Sequence, residues 1–273
     1  QAELQHKGFF EHPEMSQIVP GLHGLYRDES LRKQLKKTLP ELQIQSAAVK
    51  LQCNSGGPHP NPHSNPHHNR NVGGGGCFPC HYDSDAEVDG RRITAIVYAN
   101  PVWQSSNGGE LRLYPMVGPR VDVEPRMGRM VLFSSQSMLH RVLPSSTERW
   151  CFTIWLSGRD KKTQQEGAEE NRGGLEAVID IKKRQLLAKY IYAEEWATSL
   201  VESHPSSEAR DQVVTKHRQD VAMIKEGLLC QELEQLAQVQ PHIMQMATAS
   251  PTRIGARFDP DSVAAAPLQL RWI

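Results

Sequence analysis

The sequence predicts an α+β fold, with a jelly-roll (double-stranded β-helix) core, flanking helices and a C-terminal helical extension. Short β-like segments separated by turns recur at roughly 8 to 15 residues between Ala47 and Gly158, as a double-sheet jelly roll requires. Beyond Gly158 the composition becomes charged and helix-favouring, with apolar residues at helical spacing. A short run of charged residues and leucines before the β-rich region has the pattern of one further helix.

The composition divides the 273 residues into four predicted parts. Residues 1–46 are a helical lead-in, residues 47–158 the β domain, residues 159–247 a helical extension and residues 248–273 a loosely ordered tail. Within the β domain, residues 56–76 consist largely of Pro, His, Asn and Gly. Such a tract buries too little apolar surface to order itself, so we predict a flexible insertion there.

The helices outside the β domain are predicted from caps and apolar spacing. A lead-in helix is predicted over residues 31–37, capped by residues 28–30. The extension predicts two amphipathic helices separated at His204-Pro205, which either cover the sheet or pair as a hairpin, with a partner-binding surface as the alternative. Three histidines in polar settings are expected on the surface: His204, His217 and His242.

The most informative stretch is His81-Tyr82-Asp83, taken together with His140. Side chains two apart in a strand point to the same face, so His81 and Asp83 can bind one metal ion. His140 lies in a second short apolar run that predicts a strand and can supply a third ligand. Two imidazoles and one carboxylate on one face of an ion leave positions open, the arrangement that suits a non-haem Fe(II) oxygenase.

Arg149 follows His140 by nine residues, after a polar turn. The strand that begins there alternates so that Arg149 and Thr153 lie on one face. A guanidinium binds a carboxylate through two parallel hydrogen bonds, so Arg149 is a candidate anchor for a dicarboxylate cosubstrate. Tyr98 lies on the interior face of the strand predicted over residues 92–99, either as a core aromatic or as a second cosubstrate contact.

At these residues the chain resembles the Fe(II)/2-oxoglutarate-dependent dioxygenases, and among them the prolyl 4-hydroxylase-like branch. The resemblance runs from about Ala47 to Gly158 and includes His81-Tyr82-Asp83, Gly108-Gly109-Glu110-Leu111 and the stretch from His140 to Trp155. An arginine at position 149 is similar to the oxygen-sensing prolyl hydroxylases, whereas the collagen-type enzymes use lysine there. The chain departs from the family in the long insertion and in lacking an evident tyrosine near Gln52.

The resemblance implies an enzyme with a defined set of cofactors and site residues. His81, Asp83 and His140 are then the Fe(II) ligands, and Arg149 binds the C5 carboxylate of 2-oxoglutarate, helped by Tyr98 and Thr153. O2 is the second cosubstrate, L-ascorbate dependence is a family trait, and succinate and CO2 are the co-products. The implied reaction is 4-hydroxylation of a peptidyl proline in a protein or peptide substrate, with no further catalytic residue required.

Three other functions stay open on the sequence. The enzyme could hydroxylate another protein side chain or a small molecule, because the substrate-binding loops carry no readable signal. A catalytically silent jelly roll could bind a partner through its C-terminal helices. A zinc module could form from Cys77, Cys80 and the histidines of the insertion, although no second cysteine pair accompanies them.

Charge and cysteine content narrow the remaining classes. The 31 basic and 31 acidic residues cancel, so nothing indicates a nucleic-acid partner, and no apolar stretch predicts a membrane span. Five cysteines, few and odd in number, favour a reducing compartment, so an intracellular location is the default expectation. The chain begins with Gln, so a targeting segment could precede it. The sequence gives no prediction of oligomeric state.

Overall fold

The computed structural model describes residues 17, 20–54, 76–85, 89–115, 119–158, 170–226 and 252–254, of which 22, 25, 26, 170–180 and 252–254 are described in backbone only. Most of the predicted insertion, residues 55–75, lies outside the described residues, as does most of the predicted tail. The division into four parts therefore remains a prediction. No helix among the described residues is long and apolar enough to cross a membrane.

Two facing sheets form the core, which confirms the predicted jelly roll with flanking helices. The strands, in chain order, are β1 Ser46–Asn54, β2 Phe78–His81, β3 Arg91–Tyr98, β4 Leu111–Tyr114, β5 Val121–Val123, β6 Met130–Ser134, β7 Leu139–Val142, β8 Arg149–Ser157 and β9 Thr252–Ile254. The first sheet has the order β1-β8-β3-β6 and the second β2-β7-β4-β5-β9. All pairs are antiparallel except β5 with β9, which is parallel.

Alternating side chains place the core between the sheets. Inward-facing residues of both sheets, including Ile96, Tyr98, Leu111 and Val142, form one buried cluster. The opposite face of β3 packs Ile93 and Ala95 against the lead-in helix, as the alternation predicts. The two faces of β3 therefore separate a barrel interior from a helix-covered exterior.

Among the described residues, five α-helices flank the sheets: α1 Pro20–Arg27, α2 Ser30–Thr38, α3 Glu170–Ile191, α4 Ala193–Ser203 and α5 Glu208–Glu226. The described extension has three helices where the sequence predicts two, because α3 and α4 are separated only at Tyr192. Helical hydrogen bonds continue through that point, from Tyr192 N to Ala188 O and from Trp196 N to Tyr192 O, so the apolar spacing shows no break. The predicted break at His204-Pro205 is confirmed by the end of α4.

His217 corrects one expectation about the surface. It is 3% exposed, its ring stacks on Trp196 at 5.8 Å between centroids, and its Nε2 lies 2.9 Å from the Ala193 carbonyl oxygen. The polar residues beside it in sequence lie on the outer side of α5, which is why the local composition misleads. His204 is exposed, and His242 lies outside the described residues.

Candidate metal centre

Two histidines from neighbouring strands face each other inside the barrel. His81 ends β2 and pairs in register with His140 of β7, which brings their rings to 4.2 Å between centroids. The Nδ1 of His81 lies 2.8 Å from the Pro79 carbonyl oxygen, and the Nδ1 of His140 lies 3.1 Å from that of Met138. A carbonyl only accepts, so each Nδ1 carries the proton and each Nε2 keeps a lone pair for a metal.

Asp83 supplies the third ligand from a bend rather than from a strand, since β2 ends at His81. Its Oδ1 lies 3.5 Å from the Nε2 of His81 and 3.7 Å from the Nε2 of His140. Its Oδ2 accepts hydrogen bonds from the Thr94 hydroxyl at 2.6 Å and the Trp155 indole at 3.3 Å. The carboxylate is thus held by one oxygen and presents the other to the two imidazoles.

These three side chains fit a divalent transition-metal ion. Their ligand atoms lie within 4.8 Å of one another, and the described part of the chain contains no other group of three or more metal-binding side chains this close. Adjacent ligands of an octahedral ion with bonds near 2.1 Å are about 3 Å apart, so only a small contraction is needed. Two lone pairs and a carboxylate oxygen facing one point without a cation would repel each other, which favours a bound metal.

Burial and neighbouring groups give His140 and Asp83 the protonation states that metal binding requires. It lowers the pKa of His140 to about 4, so the ring is neutral near pH 7 and able to bind a metal. Burial alone would raise the pKa of Asp83, but the neighbouring His81 and His140 and the Thr94 hydrogen bond outweigh it and hold that pKa below its ordinary value. Near neutral pH Asp83 is therefore an anion and His140 a neutral donor.

Arg149 and Tyr98 form a second, buried polar point in the barrel. The Arg149 guanidinium lies over the Tyr98 ring, 5.0 Å from its centroid, and its Nε donates to the Gly109 carbonyl at 2.6 Å. Among the described residues, neither the Nη2 of Arg149 nor the Tyr98 hydroxyl has a hydrogen-bond partner. Burial raises the pKa of Tyr98 to about 12, so its hydroxyl remains a donor. Two orphaned donors side by side fit a ligand carboxylate.

Gly108 and Gly109 make room for this arrangement. Gly108 has φ 67°, and a Cβ there would lie 2.2 Å from the Pro144 carbonyl oxygen. Gly109 has φ 77°, and a Cβ there would lie 3.0 Å from the Cδ of Arg149. Glycine is thus needed at both positions before β4, because a side chain would meet the Pro144 carbonyl at the first and the Arg149 side chain at the second.

Thr153 lies on the predicted face of β8 but is engaged within the protein. Its hydroxyl donates to the Gln52 Oε1 at 2.6 Å, and the same oxygen accepts a weak hydrogen bond from the Cys151 thiol. Gln52 thus stands beside the cosubstrate residues, at the place where the sequence shows no tyrosine. A role for Thr153 in cosubstrate binding stays a prediction.

The register of β3 with β8 explains how the two polar points are linked. Thr94 pairs with Trp155 at the metal end, and Tyr98 pairs with Cys151, next to Arg149, at the other end. The sequence did not indicate that Thr94 holds Asp83. The available signal was a polar residue in an otherwise apolar inward row.

The cysteines of the zinc alternative are used in packing. Cys77 and Cys80 are both buried; the Cys77 thiol donates to the Glu202 carbonyl at 3.3 Å, and the Cys80 backbone NH donates to the Ser199 hydroxyl. Burial raises the pKa of both thiols, which disfavours the thiolate that zinc requires. The histidines of that alternative lie outside the described residues.

A jelly roll with two histidines and one aspartate around a metal position, and a buried arginine beyond it, defines the class of non-haem Fe(II) oxygenases. Residues 66–157 match the family model of the 2OG-Fe(II) oxygenase superfamily. Over this range the chain carries a 2OG-Fe(II) oxygenase domain that is prolyl hydroxylase-like, with distant homology to known prolyl hydroxylases. The predicted family is confirmed.

Individual relatives agree with this placement. The hypoxia-inducible factor prolyl hydroxylase of Caenorhabditis elegans is 40% identical over 95 residues, which are 33% of this chain and 13% of that protein. Egl nine homolog 1 of Homo sapiens is 33% identical over 79 residues, 28% of this chain and 18% of that protein. The chain therefore spans less than a fifth of these two relatives. A prolyl 4-hydroxylase structure from Phytophthora capsici is 28% identical with a TM-score of 0.62, over 90% of this chain and 84% of that one.

Proposed function

We propose that the protein hydroxylates a carbon of a peptide substrate, specifically C4 of a peptidyl proline, with 2-oxoglutarate and O2 as cosubstrates and ascorbate as a supporting reductant. The observation that carries this proposal is the convergence of His81, Asp83 and His140 within 4.8 Å, beside a buried arginine with an unused donor. The first group suits Fe(II) with open positions, and the second suits the far carboxylate of 2-oxoglutarate.

In this proposal His81, Asp83 and His140 hold the iron, and each ligand is fixed from behind. Carbonyl oxygens orient the two imidazoles, and Thr94 and Trp155 orient the carboxylate. When bound, iron and 2-oxoglutarate supply the oxidising chemistry: one oxygen atom of O2 enters the substrate C–H bond as a hydroxyl, the other enters succinate, and CO2 is released. The protein contributes positioning and the exclusion of water.

Arg149 and Tyr98 orient the cosubstrate by holding the carboxylate farthest from the metal. The guanidinium is 3% exposed and fixed by its Nε–Gly109 bond, so its free Nη2 has a defined direction. The Tyr98 hydroxyl adds a neutral donor at the same place. A dicarboxylate of the right length is thereby selected over a monocarboxylate, since only the former satisfies both points.

The metal position opens toward one side of the barrel. The His81 side chain is 38% exposed, whereas that of His140 is 4% exposed. The Arg91 guanidinium lies over the face of the Trp155 ring, 4.4 Å from its centroid. The Lys50 amine lies 5.9 Å from the same centroid. An aromatic and basic rim of this kind suits an extended peptide better than a small apolar molecule. Three of the relatives, from Caenorhabditis elegans, Mus musculus and Phytophthora capsici, are prolyl hydroxylases, which supports proline as the target.

Mass spectrometry of peptides tests the substrate part of the proposal. The full chain is incubated with Fe(II), 2-oxoglutarate, ascorbate and a library of proline-containing peptides, and a gain of one oxygen atom is sought. We expect hydroxylation of proline and loss of the gain when 4,4-difluoroproline replaces proline. If another side chain or a small molecule were hydroxylated instead, the enzyme would perform the same reaction on a different class of substrate, and proline would not be its target.

Succinate release separates the enzyme from a silent scaffold. Uncoupled 2-oxoglutarate turnover in the presence of Fe(II) requires no knowledge of the substrate. We expect measurable succinate from the wild-type chain. Its absence, with iron shown to be bound, would leave a partner-binding jelly roll as the better account.

A further inference from the structure

Asn54 is a buried polar residue of the barrel interior, next to the candidate cosubstrate anchor. It ends β1, is 4% exposed, and pairs in register with Arg149, the first residue of β8. Residues directly opposite each other in an antiparallel pair share one face of the sheet, with Cβ atoms about 4.5–5.5 Å apart. Arg149 lies over the ring of Tyr98, a member of the core between the sheets. The Asn54 side chain therefore faces the same interior.

The amide nitrogen of Asn54 is unpartnered. Within the described part of the chain its Nδ2 meets no hydrogen-bond acceptor, as is also the case for the Arg149 Nη2 and the Tyr98 hydroxyl. Buried polar groups are nearly always hydrogen-bonded, because removing an unpaired donor from water costs free energy. Three such donors on the neighbouring strands β1, β8 and β3 indicate a ligand that supplies acceptors to all of them.

A second buried asparagine, on the other side of β8, shows how such an amide is used to hold the fold. Asn100 is 7% exposed, and its Nδ2 donates to the Pro125 carbonyl at 2.7 Å and to the Trp150 carbonyl at 3.1 Å. Its Oδ1 accepts from the Trp150 NH at 2.7 Å. Asn100 thus fixes the backbone of β8, whereas the Asn54 Nδ2 fixes nothing in the protein.

The kind of ligand follows from the fact that all three unpaired atoms are donors. The guanidinium of Arg149 is a cation, an amide nitrogen only donates, and burial keeps the Tyr98 hydroxyl protonated by raising its pKa to about 12. A carboxylate offers about four lone-pair positions on its two oxygens, which is enough for three donors. A carboxamide or an ammonium would bring hydrogens of its own and leave some of these donors unsatisfied.

Gln52 removes another donor from this face. It pairs in register with Cys151, and its Oε1 accepts a hydrogen bond of 2.6 Å from the Thr153 hydroxyl. A hydroxyl has a single hydrogen, and Thr153 donates it within the protein. Asn54, two residues farther along β1, is then the donor of this strand pair that lies beside Arg149 and is still unused.

We propose that Asn54 is a third contact to the far carboxylate of 2-oxoglutarate, donating through its Nδ2 beside Arg149 and Tyr98. This inference rests on the proposed function, in which Arg149 binds that carboxylate. It makes Asn54 a residue that determines cosubstrate specificity, because a 2-oxo acid without the far carboxylate leaves three buried donors unsatisfied.

Anaerobic calorimetric titration of the Fe(II)-loaded full chain with 2-oxoglutarate measures the affinity without turnover. Asn54→Leu replaces the amide by an apolar group of similar shape. We expect it to weaken binding about tenfold, because a hydrogen bond to a charged group is lost. 2-Oxovalerate has the same chelating end but no far carboxylate, and should bind equally to the wild type and to Asn54→Leu. Equal affinities of the two proteins for 2-oxoglutarate would overturn the inference.

The thermal midpoint of the protein without metal or cosubstrate separates a ligand contact from a structural one. Asn54→Leu should keep or raise the midpoint, since it removes an unpaired buried donor and breaks no bond of that donor. Asn100→Leu is the matched control and should lower the midpoint, since three hydrogen bonds are lost. A midpoint of Asn54→Leu as low as that of Asn100→Leu would show that the amide holds the fold, and the inference would fail.

Asn54→Asp keeps the size of the side chain but places a carboxylate opposite Arg149. This carboxylate competes with that of the cosubstrate for the guanidinium, so 2-oxoglutarate should bind more weakly than to Asn54→Leu. An unchanged affinity in Asn54→Asp would reject the inference even if Asn54→Leu were poorly folded. If the wild type bound no 2-oxoglutarate at all, the proposed function itself would be wrong, and the inference with it.

Discussion

The two faces of the second sheet use polar residues in opposite ways. On the inner face, His140 of β7 presents its Nε2 toward Asp83. On the outer face, the next residue, Arg141, is committed to a pair with Glu202. His140 and Arg141 are adjacent in β7, so their side chains lie on opposite faces of the sheet. The His140 imidazole faces the metal position, whereas the Arg141 guanidinium is paired within the protein.

The same contrast is seen around Arg149 and Tyr98, the residues proposed to bind the cosubstrate carboxylate. Inside the barrel, the Arg149 Nη2 and the Tyr98 hydroxyl are left without partners within the described part of the chain. Outside it, the Arg112 guanidinium is satisfied by Asp122. Buried polar groups that are unpaired are expensive, so their presence inside marks a place that a ligand completes.

His140→Ala should have the largest effect, because it removes an iron ligand. We expect uncoupled 2-oxoglutarate turnover to fall by about 100-fold or more, since losing even supporting residues of a metal site commonly costs 10–100-fold. The free energy of unfolding of the metal-free protein should fall as well, because the imidazole is 3% exposed and packs against the Phe133 ring at 4.6 Å between centroids. Succinate release and urea unfolding measure the two quantities.

The control for His140→Ala is His204→Ala, at an exposed histidine after α4. Its turnover should equal that of the wild type. If His140→Ala retained more than a tenth of the wild-type turnover, the His81, Asp83 and His140 set would not be the iron site.

Arg149→Ala should rank second. Removing a buried guanidinium from a bidentate carboxylate contact costs about 3 kcal/mol, which corresponds to about 100-fold in the KM for 2-oxoglutarate. Arg149→Lys keeps the charge but not the fork geometry, and should give an intermediate KM. An unchanged KM in Arg149→Ala, measured at saturating Fe(II), would show that the cosubstrate carboxylate binds elsewhere.

Much of this site was predictable because it depends on short-range alternation. The inward positions of Thr94 and Tyr98 on β3, and of Arg149 and Thr153 on β8, follow from period two once the strands are found. The bend at Asp83 was not predictable, since it is set by long-range bonds, from the Arg91 guanidinium to the Asp83 carbonyl and from the Ser84 NH to the Ser135 carbonyl. Local patterns carry no information about such contacts.

The ion pairs on the outer face of the second sheet could not be predicted from the sequence, for a related reason. Arg141 and Glu202 are 61 positions apart, and nothing near either of them in sequence indicates that they meet. The surface expectation for His217 failed likewise, because its burial depends on Trp196 of another helix. Resemblance to a family supplied the roles of His81, Asp83 and His140, and the structure then supplied their supporting residues.

Thr94→Val should have a moderate effect by releasing Asp83. Thr94 is fully buried and its hydroxyl donates to the Asp83 Oδ2, while the Ser135 hydroxyl, 2.8 Å away, is left to donate to Thr94. Loss of this relay should weaken Fe(II) affinity about tenfold, the lower range for residues that support metal ligands. Thr94→Ser retains the hydroxyl and should restore most of the affinity.

Iron titration monitored by the visible charge-transfer band of the Fe(II)–2-oxoglutarate complex measures the Thr94 effect. The band should weaken and shift in Thr94→Val at equal iron concentration, and return in Thr94→Ser. A purely structural role for Thr94 would lower the thermal midpoint but leave the iron affinity of the folded protein unchanged.

Glu202→Gln should have the smallest effect and act on stability alone among these variants. It removes the shorter of the two ion pairs of Arg141, 2% exposed, and leaves the one to Glu195 at 3.9 Å; a fully buried broken pair costs about 3–5 kcal/mol. The Glu202 side chain is 39% exposed, so water screens part of the interaction and we expect about 1–2 kcal/mol in the free energy of unfolding. Urea unfolding of Glu202→Gln against Glu208→Gln, an exposed carboxylate of α5, measures this difference. Equal stabilities would mean that the outer pairs do not hold α4 on the sheet, and that the two faces differ less than their geometry indicates.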